Sequence, residues 1–366
     1  MLSSRTCNPD AGLGKNGSQL VPVFISSCVT VIKILSKLFI KKGVMMTVSR
    51  KTFFIETQKI NEQMGDFLNF TWASYAGLRE MWWQVKGFTH CFPDMNNKVL
   101  KEKFLTGLEI PGGIDLESVC LSQGWDEHVH RFSKSLIFEA CTMYEAWAEK
   151  ICEYVLPGDD TARKSLQFPT TNGSNGYMKA IIKVNSNPST FIKNNFFGIV
   201  SSNNMNRWAR INDFLIMYRY FKEIRNSFIH GSGNVNQEIM DCFSQVESMH
   251  NHRGQLTKFP INLSQPTLDS EINISIRDSV IFYSYIKYII ITFDAALCVS
   301  LNSEDYMSHR IKNYINSNKK QVYHIPHDTA KKERVVKKIL LGSSFPFGSS
   351  MTPIFNWLVQ RNLVIS

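Results

Sequence analysis

The sequence predicts an all-α fold, organised as a helical bundle, and two observations carry this prediction. Several long stretches repeat apolar residues at the 3.6-residue spacing of a helix that buries one face. Clusters of turn-forming residues, such as "FPDMNN" and "IPGGID", separate those stretches. With 366 residues and 43% hydrophobic content, the chain is long enough to bury a sizeable core.

Four long helices are predicted in chain order, over about residues 49–88, 128–155, 206 or 212 to 230, and 275–299. The last of these is strongly apolar, but its sequence "VIFYSYIKYIIITFDAALCV" contains a lysine and an aspartate, which favour a buried bundle helix over a membrane span. The expected core of the protein is therefore helix packed on helix.

The segments between the predicted helices are less regular. Residues 156–206 are rich in Asn, Ser, Gly and Pro, which predicts an irregular excursion with short helical pieces. Residues 234–270 carry mixed signals, and "HNHRGQLTKFPINL" within them favours a hairpin or loop.

The first 44 residues form a predicted extension. Residues 21–40 have roughly the length of a membrane span, but Lys33 and Lys37 would each cost about 2.5 to 3.5 kcal/mol near the bilayer centre. The stretch is amphipathic as a helix, so a membrane-associating surface helix and a true span are alternatives to an extension of little importance. Membrane association is not the expectation. The pair Met45-Met46 opens a stretch of globular composition and is a candidate for the natural start.

Positive charge is concentrated in the last part of the chain. The net charge of +10 favours polyanionic partners such as nucleic acid or an acidic membrane surface. The predicted organisation is an extension (1–44), an N-terminal helical region (45–125), a core bundle (126–300) and a small basic C-terminal appendix (301–366). The appendix contains candidate RNA-binding residues on a basic helix, and the alternative is a solvated helix face. These residues are Lys331, Lys332, Arg334, Lys337 and Lys338.

Cysteine and histidine patterns predict neither disulfides nor metal. The eight cysteines are scattered singly, which is typical of a protein of the reducing cytoplasm. The pairs in "HVHRF", "HNHR" and "HIPH" lack a third ligand at a zinc-like spacing. We therefore expect no metal and no cofactor.

The stretch "FKEIRNSFIHGSG" contains the most informative pair of residues, Arg225 and His230, at the end of the third predicted helix. Arg225 continues the apolar row of that helix, so its charge points towards the packed side, where it needs an acidic partner such as a carboxylate or a phosphate. His230 stands about 140° further around the helix axis. Two helices related by a two-fold axis would allow both groups to reach one shared cleft.

The arrangement Arg225, Asn226, three residues and His230 resembles the R-N-x3-H motif of the HEPN superfamily. The predicted helices over 128–155, with Glu145 in "YEAW", and over 275–299 resemble the first and last core helices of that family. The resemblance covers about residues 126–300. It implies an all-α HEPN-like bundle that dimerises with the two motifs facing each other.

The resemblance also implies an activity, which is metal-independent cleavage of RNA in toxin–antitoxin or antiviral systems. His230 would act as general base or acid, Arg225 would neutralise charge on the phosphate, and Asn226 would orient it. Glu145 is a supporting residue that would anchor Arg225, or else a solvated glutamate. The expected partners are RNA, a second copy of the chain and an antitoxin or other regulatory protein. The alternatives are a non-catalytic HEPN-like module that binds RNA or protein, and a helical scaffold that docks on membranes.

Overall fold

Helices make up most of the computed structural model of the protein. It describes residues 51–169, 176–231, 233–257, 259–318 and 323–365, and these residues belong to one compact unit. The predicted extension, with its amphipathic stretch, lies outside the described residues. For the residues that are described, the all-α class is confirmed.

The described residues contain thirteen α-helices, a few shorter helical turns and one pair of two-residue strands. In chain order these are α1 (Ile55–Cys91), α2 (Asn97–Phe104), a π-helical turn (Ser118–Ser122), α3 (Trp125–Val155), α4 (Asp160–Gln167), α5 (Met178–Ser186), α6 (Thr190–Ile192), a second π-helical turn (Lys193–Phe197), α7 (Gly198–Ser201), a 3-10 turn (Trp208–Arg210), α8 (Ile211–His230), α9 (Gln237–Arg253), α10 (Ile276–Leu297), α11 (Asn302–Ser317), β1 (Tyr323–His324), α12 (Thr329–Gly342), α13 (Met351–Gln360) and β2 (Val364–Ile365). The two strands pair in parallel, with Tyr323 opposite Val364.

Helix α10 lies at the centre of the bundle. It packs against α1, α3 and α8, and nearly all of its side chains are buried. Among the described residues it is the one helix long and apolar enough to cross a membrane, but 83% of that apolar window is buried inside the protein. Its apolar surface is therefore used for packing, as expected for a core helix.

Aromatic stacking fixes α8 against α10. The rings of Phe221 and Phe282 are stacked with centroids 4.2 Å apart, and Phe214 meets Tyr285 edge to face at 5.1 Å. Such pairs prefer particular ring orientations and add to the free energy of burial. They therefore set the rotation of α8 about its axis and decide which of its residues remain at the surface.

Within residues 234–270, Gln237–Arg253 form α9, so the first four residues of the stretch predicted as a hairpin or loop, "HNHR", are helical. The Asn236 side chain caps the helix by accepting a hydrogen bond from the Ile239 N–H at 3.0 Å. A buried row at helical spacing follows, and Gly254 ends the helix with φ of 67°. The buried row consists of Ile239, Cys242, Val246 and Met249. The histidines of "HNHR" thus belong to a helix and not to a loop.

The predicted appendix belongs to the same compact unit as the rest of the described chain. Trp357 of α13 stacks on Phe191 with ring centroids 4.9 Å apart, and its Nε1 donates to Glu304 at 3.0 Å. Phe345 packs against Phe53 at 5.3 Å, close to the start of α1. Phe345 therefore helps to bury the start of the first helix.

A buried carboxylate joins α10 to the start of α1. The Asp294 side chain is fully buried and accepts hydrogen bonds from the N–H groups of Phe53 and Phe54, at 2.8 and 3.1 Å. Burial raises the pKa of Asp294 from 3.8 to about 7, although hydrogen bonds from Thr57 and the two backbone groups oppose this shift. The carboxyl group therefore binds its proton more tightly in the folded protein.

This shift predicts a pH dependence of stability. Between about pH 4 and 7 the folded state holds a proton on Asp294 that the unfolded state has released. The contribution of Asp294 to the free energy of unfolding is therefore lost as the pH rises through 7. Between pH 5 and 8 we expect the free energy of unfolding of the wild type to fall by on the order of 2 kcal/mol more than that of Asp294→Asn. Urea denaturation at the two pH values measures the difference.

The comparison with Asp294→Asn removes the contributions of other titrating groups. Burial also raises the pKa of Asp278 and Glu139 and lowers that of His130 and His250, and these groups are shared by both proteins. Equal changes in the two proteins between pH 5 and 8 would contradict the assignment to Asp294.

Candidate functional site

The start of α8 is fixed by polar contacts to its neighbours. The Arg207 N–H donates to Oγ1 of Thr292 in α10 at 2.8 Å. Asp213, buried in the first turn of α8, accepts from Nε of Arg210 at 2.8 Å and from Nη1 of Arg253 in α9 at 3.2 Å. Because both arginines share this carboxylate, the position of α8 along its axis is tied to α9 as well as to α10.

Arg225 is half-buried on the side of α8 that faces α3. Its Nη1 lies 3.4 Å from Oδ1 of Asn226, a long hydrogen bond. Its Nε is shielded from solvent and meets no hydrogen-bond acceptor among the described residues. Burial raises the pKa of the neighbouring Cys141 thiol in α3 to about 12, and the charge of Arg225 partly opposes this. The guanidinium is thus held beside the core with part of its hydrogen-bonding capacity unused.

Glu145 of α3 forms its ion pair with Lys222. Its Oε1 lies 2.9 Å from Nζ of Lys222, one helical turn before Arg225, and 3.5 Å from the hydroxyl of Tyr218. The side chains of Glu145 and Lys222 are only 17% and 13% exposed, so the pair is largely desolvated. Glu145 therefore anchors Lys222 rather than Arg225, and it is not a solvated glutamate.

Sequence reasoning missed Lys222 and Phe168. The Nζ of Lys222 also lies 3.8 Å from the ring centroid of Phe168, the residue that ends α4. The spacing of Lys222 and Arg225, three residues apart on one helix, could have indicated a second cation on the same face. Nothing in the local sequence around Phe168 predicts its position, because it reaches this face through the packing of α4 on α3.

His230 lies in the last turn of α8 and is exposed. The carbonyl oxygen of Ser227 accepts from the N–H groups of Gly231 and Gly233 at 2.8 and 3.2 Å, and the Ser227 hydroxyl donates to the Asn234 carbonyl at 2.6 Å. Gly233 has a positive φ of 82°, whereas Gly231 has φ of −125°. The helix end is therefore well fixed, while the imidazole of His230 remains accessible.

Within one chain Arg225 and His230 lie on different sides of α8. Five residues of straight helix separate Arg225 from His230, which corresponds to about 140° around the axis. Asn226 is half-buried and donates to Oε2 of Glu223 at 3.2 Å. The structure thus brings Asn226 to Arg225 but leaves His230 on another side of the helix.

Two surface clefts of the described residues have volumes of about 550 and 490 Å³. The larger has Ala295 and Val299 in its floor and Trp208 in its wall, and the smaller includes Asp213 and His252. Arg225 and His230 belong to neither.

The basic residues of the C-terminal region lie on α12. Lys331, Arg334 and Lys338 are exposed at helical spacing and share one face. The other two are engaged within the chain, since Lys337 pairs with Glu333 at 3.6 Å and Nζ of Lys332 lies 4.3 Å from the ring centroid of Phe355. Helix α12 therefore presents three of the five predicted cations as a stripe.

The histidine pairs do not assemble a metal site in the described part of the chain, where no cluster of three His, Cys, Asp or Glu side chains is placed to hold an ion. His128 is buried, with Nε2 2.8 Å from the Val119 carbonyl oxygen, and Nδ1 of His252 lies 2.7 Å from the Ser248 carbonyl oxygen. These two rings have structural roles.

Comparison with known proteins gives no relative. No protein-family model, no characterised protein and no solved structure matches this chain. Function therefore has to be inferred from the chemistry of the residues described above.

The Glu145–Lys222 pair generates a stability prediction. Glu145→Gln leaves the Lys222 ammonium largely buried without its counter-charge, so we expect the free energy of unfolding to fall by about 2 kcal/mol. Glu153→Gln is the matched control, since it breaks the Lys150–Glu153 pair in the same helix, where both side chains are about half exposed. That change should cost at most about 1 kcal/mol in urea denaturation.

A double-mutant cycle with Lys222→Gln isolates the pairwise energy. Equal losses for the Glu145 and Glu153 variants, or additive effects of Glu145→Gln and Lys222→Gln, would contradict the proposed anchoring of Lys222 by Glu145.

Proposed function

We propose that this protein is a HEPN-like endoribonuclease of the cytoplasm that acts as a homodimer and cleaves RNA without a metal ion. The products would be a 2′,3′-cyclic phosphate and a 5′-hydroxyl. A role in toxin–antitoxin or antiviral systems, with an antitoxin or other regulatory partner, follows from the resemblance of the motif to the HEPN superfamily.

One observation carries the proposal, which is the half-buried guanidinium of Arg225 with its Nε unpaired among the described residues. An arginine whose Nε is desolvated without an acceptor is costly, and a ligand that supplies oxygen atoms would remove this cost. Glu145 of α3 is already paired with Lys222. A phosphate from outside the chain would satisfy the guanidinium, whose planar donors match phosphate oxygens.

The motif residues suit phosphodiester cleavage. The RNA 2′-hydroxyl attacks the adjacent phosphorus while His230 accepts or donates a proton, which an exposed imidazole can do near neutral pH. Arg225 neutralises the charge that develops on the non-bridging oxygens, and Asn226, hydrogen-bonded to it, helps to orient the guanidinium or the phosphate. DNA lacks the 2′-hydroxyl and would not be cleaved.

A two-fold dimer would reconcile this chemistry with the divergence of Arg225 and His230 on one helix. In an isologous interface each motif faces its copy, so the arginine of one protomer can lie beside the histidine of the other. Ile229, next to His230, is 47% exposed, which provides apolar surface at the helix end for such a contact.

The catalytic proposal predicts that His230→Ala abolishes RNA cleavage and leaves the fold intact, because the exposed imidazole contributes little to packing. Cleavage of total RNA in EDTA, followed by mapping of the product ends, measures the activity. His327→Ala is the control, since His327 is also exposed but lies before α12. It should cut like the wild type.

Two outcomes would contradict the enzyme proposal. Retention of wild-type cleavage by the His230 variant would remove the catalytic assignment. RNA binding by the wild type that weakens with salt, without any cleavage, would instead favour the non-catalytic HEPN-like binding module.

The stripe on α12 predicts a contribution to RNA affinity. Replacing Lys331, Arg334 and Lys338 together with glutamine should weaken binding and reduce the dependence of log K on log salt by up to about 2 units, or about 0.7 for each phosphate that is no longer neutralised. The control replaces Lys332 and Lys337, which contact Phe355 and Glu333. An unchanged salt dependence in the stripe variant would show that α12 is only a solvated face.

A further inference from the structure

The larger of the two clefts lies at the end of α10, beside α5, α7 and the π-helical turn that precedes α7. Its volume of about 550 Å³ falls in the range of small-molecule sites in proteins. Ala295 and Ala296 line it, and their short side chains leave this volume open in a helix whose other buried residues are mostly Ile, Phe and Tyr. We call it the α10 cleft, and it includes neither the motif residues of α8 nor the basic stripe of α12.

An aromatic wall of the α10 cleft is fixed in position. Trp208 is 43% exposed, its N–H donates to Oδ1 of Asn206 at 3.0 Å, and its ring meets that of Tyr177 edge to face at 6.4 Å. The Asn206 amide in turn donates to the Ser201 carbonyl oxygen at 3.1 Å. Phe197, which is half-buried, is a second aromatic residue of the lining. The wall is therefore in place before a ligand arrives, which lowers the entropy cost of binding.

Several polar groups of the lining are already used within the protein. The Thr292 hydroxyl donates to one carbonyl oxygen at 2.7 Å and accepts a backbone N–H at 2.8 Å, and the Ser201 hydroxyl donates to another carbonyl oxygen at 3.2 Å. The side chains of Lys193 and Asn185 differ, because they are exposed and have no hydrogen-bond or ion-pair partner among the described residues. The described lining also contains no acidic residue. What the cleft offers a ligand is therefore one ammonium and one amide.

We propose that the α10 cleft binds a small aromatic carboxylate. Its flat ring system would lie against Trp208, because aromatic rings gain from offset or edge-to-face contact. Its carboxylate would face the ammonium of Lys193, and the Asn185 amide would donate a second hydrogen bond. A phosphate dianion fits less well, since Lys193 is the one cation of the described lining. This inference does not depend on the proposed function.

The test compares two ligands of one shape by isothermal titration calorimetry on the full chain. 2-Naphthoate carries the carboxylate, and 2-naphthalenemethanol is its uncharged counterpart. We expect the wild type to bind 2-naphthoate about tenfold more tightly than the alcohol, which corresponds to one hydrogen bond to a charged group. Lys193→Gln should remove this difference by weakening 2-naphthoate alone. The control is Lys179→Gln, which should change neither affinity, because Lys179 is exposed on α5 but does not line the cleft.

Two further variants test the floor and the wall. Ala296→Leu places a larger side chain in the cleft and should weaken both ligands about tenfold or more. Trp208→Leu removes the flat aromatic face and should weaken 2-naphthoate about fivefold more than it weakens decanoate, an aliphatic carboxylate. Urea denaturation of each variant shows whether the fold is retained.

The comparison of ligands on the wild type needs no variant, so it decides the proposal even if a substitution unfolds the protein. Equal affinity for 2-naphthoate and the alcohol, or no binding of 2-naphthoate at millimolar concentration, would overturn it. Tighter binding of decanoate than of 2-naphthoate would overturn the aromatic class. Unchanged binding of 2-naphthoate by folded Lys193→Gln or Ala296→Leu would show that the ligand lies elsewhere. None of these results bears on RNA cleavage, so the nuclease proposal is decided by its own test.

Discussion

The fully buried carboxylate of Asp294 is the constraint on which the arrangement of the bundle depends. The first N–H groups of a helix have no partner within it, and here they lie inside the core, where an unpaired donor is costly. Asp294 accepts from the two residues before α1, and the hydroxyl of Tyr306 in α11 accepts from the Ile55 N–H at 3.0 Å. The start of α1 is thereby joined to α10 and α11, two consecutive helices that lie far along the chain from it. With α10 fixed, its aromatic residues set the rotation of α8, and this rotation directs Arg225 towards α3.

The sequence predicted the parts of the fold that depend on residues close together in the chain. The bounds of α3, α8 and α10 lie within a few residues of the predicted ones, because an amphipathic row, a breaker and a cap are all readable along the chain. Helix α9 was missed since its polar residues outnumber its buried row and its last turn, "HNHR", resembles a loop. The joining of α1 to α10 through Asp294 spans some 240 residues, and no short window of sequence contains it.

For the site, too, the sequence predicted the features that depend on one helix and missed those that depend on contacts between helices. The half-burial of Arg225 and the end of α8 after His230 follow from the row of apolar residues and from the glycines behind it. The partner of Glu145 did not follow, because it depends on the register between α3 and α8, which places Glu145 opposite Lys222 and Cys141 near Arg225. Phe168 depends on a further step, the packing of α4 on α3. Spacing along one helix can identify which residues share a face, but only tertiary packing decides which residues of other helices meet them.

On this face of α8, Lys222 has a carboxylate partner, whereas Nε of Arg225 has no acceptor among the described residues. Lys222 and Arg225 are both drawn towards the core, and Glu145 compensates only the lysine, at 2.9 Å. A second carboxylate on α3 would have neutralised the arginine and stabilised the fold, yet the neighbouring position there is the thiol Cys141, which stays protonated because burial raises its pKa to about 12. The uncompensated positive charge is therefore a property of the fold itself. An anion that approached from solvent would gain the full interaction with a preorganised guanidinium, without first breaking an ion pair.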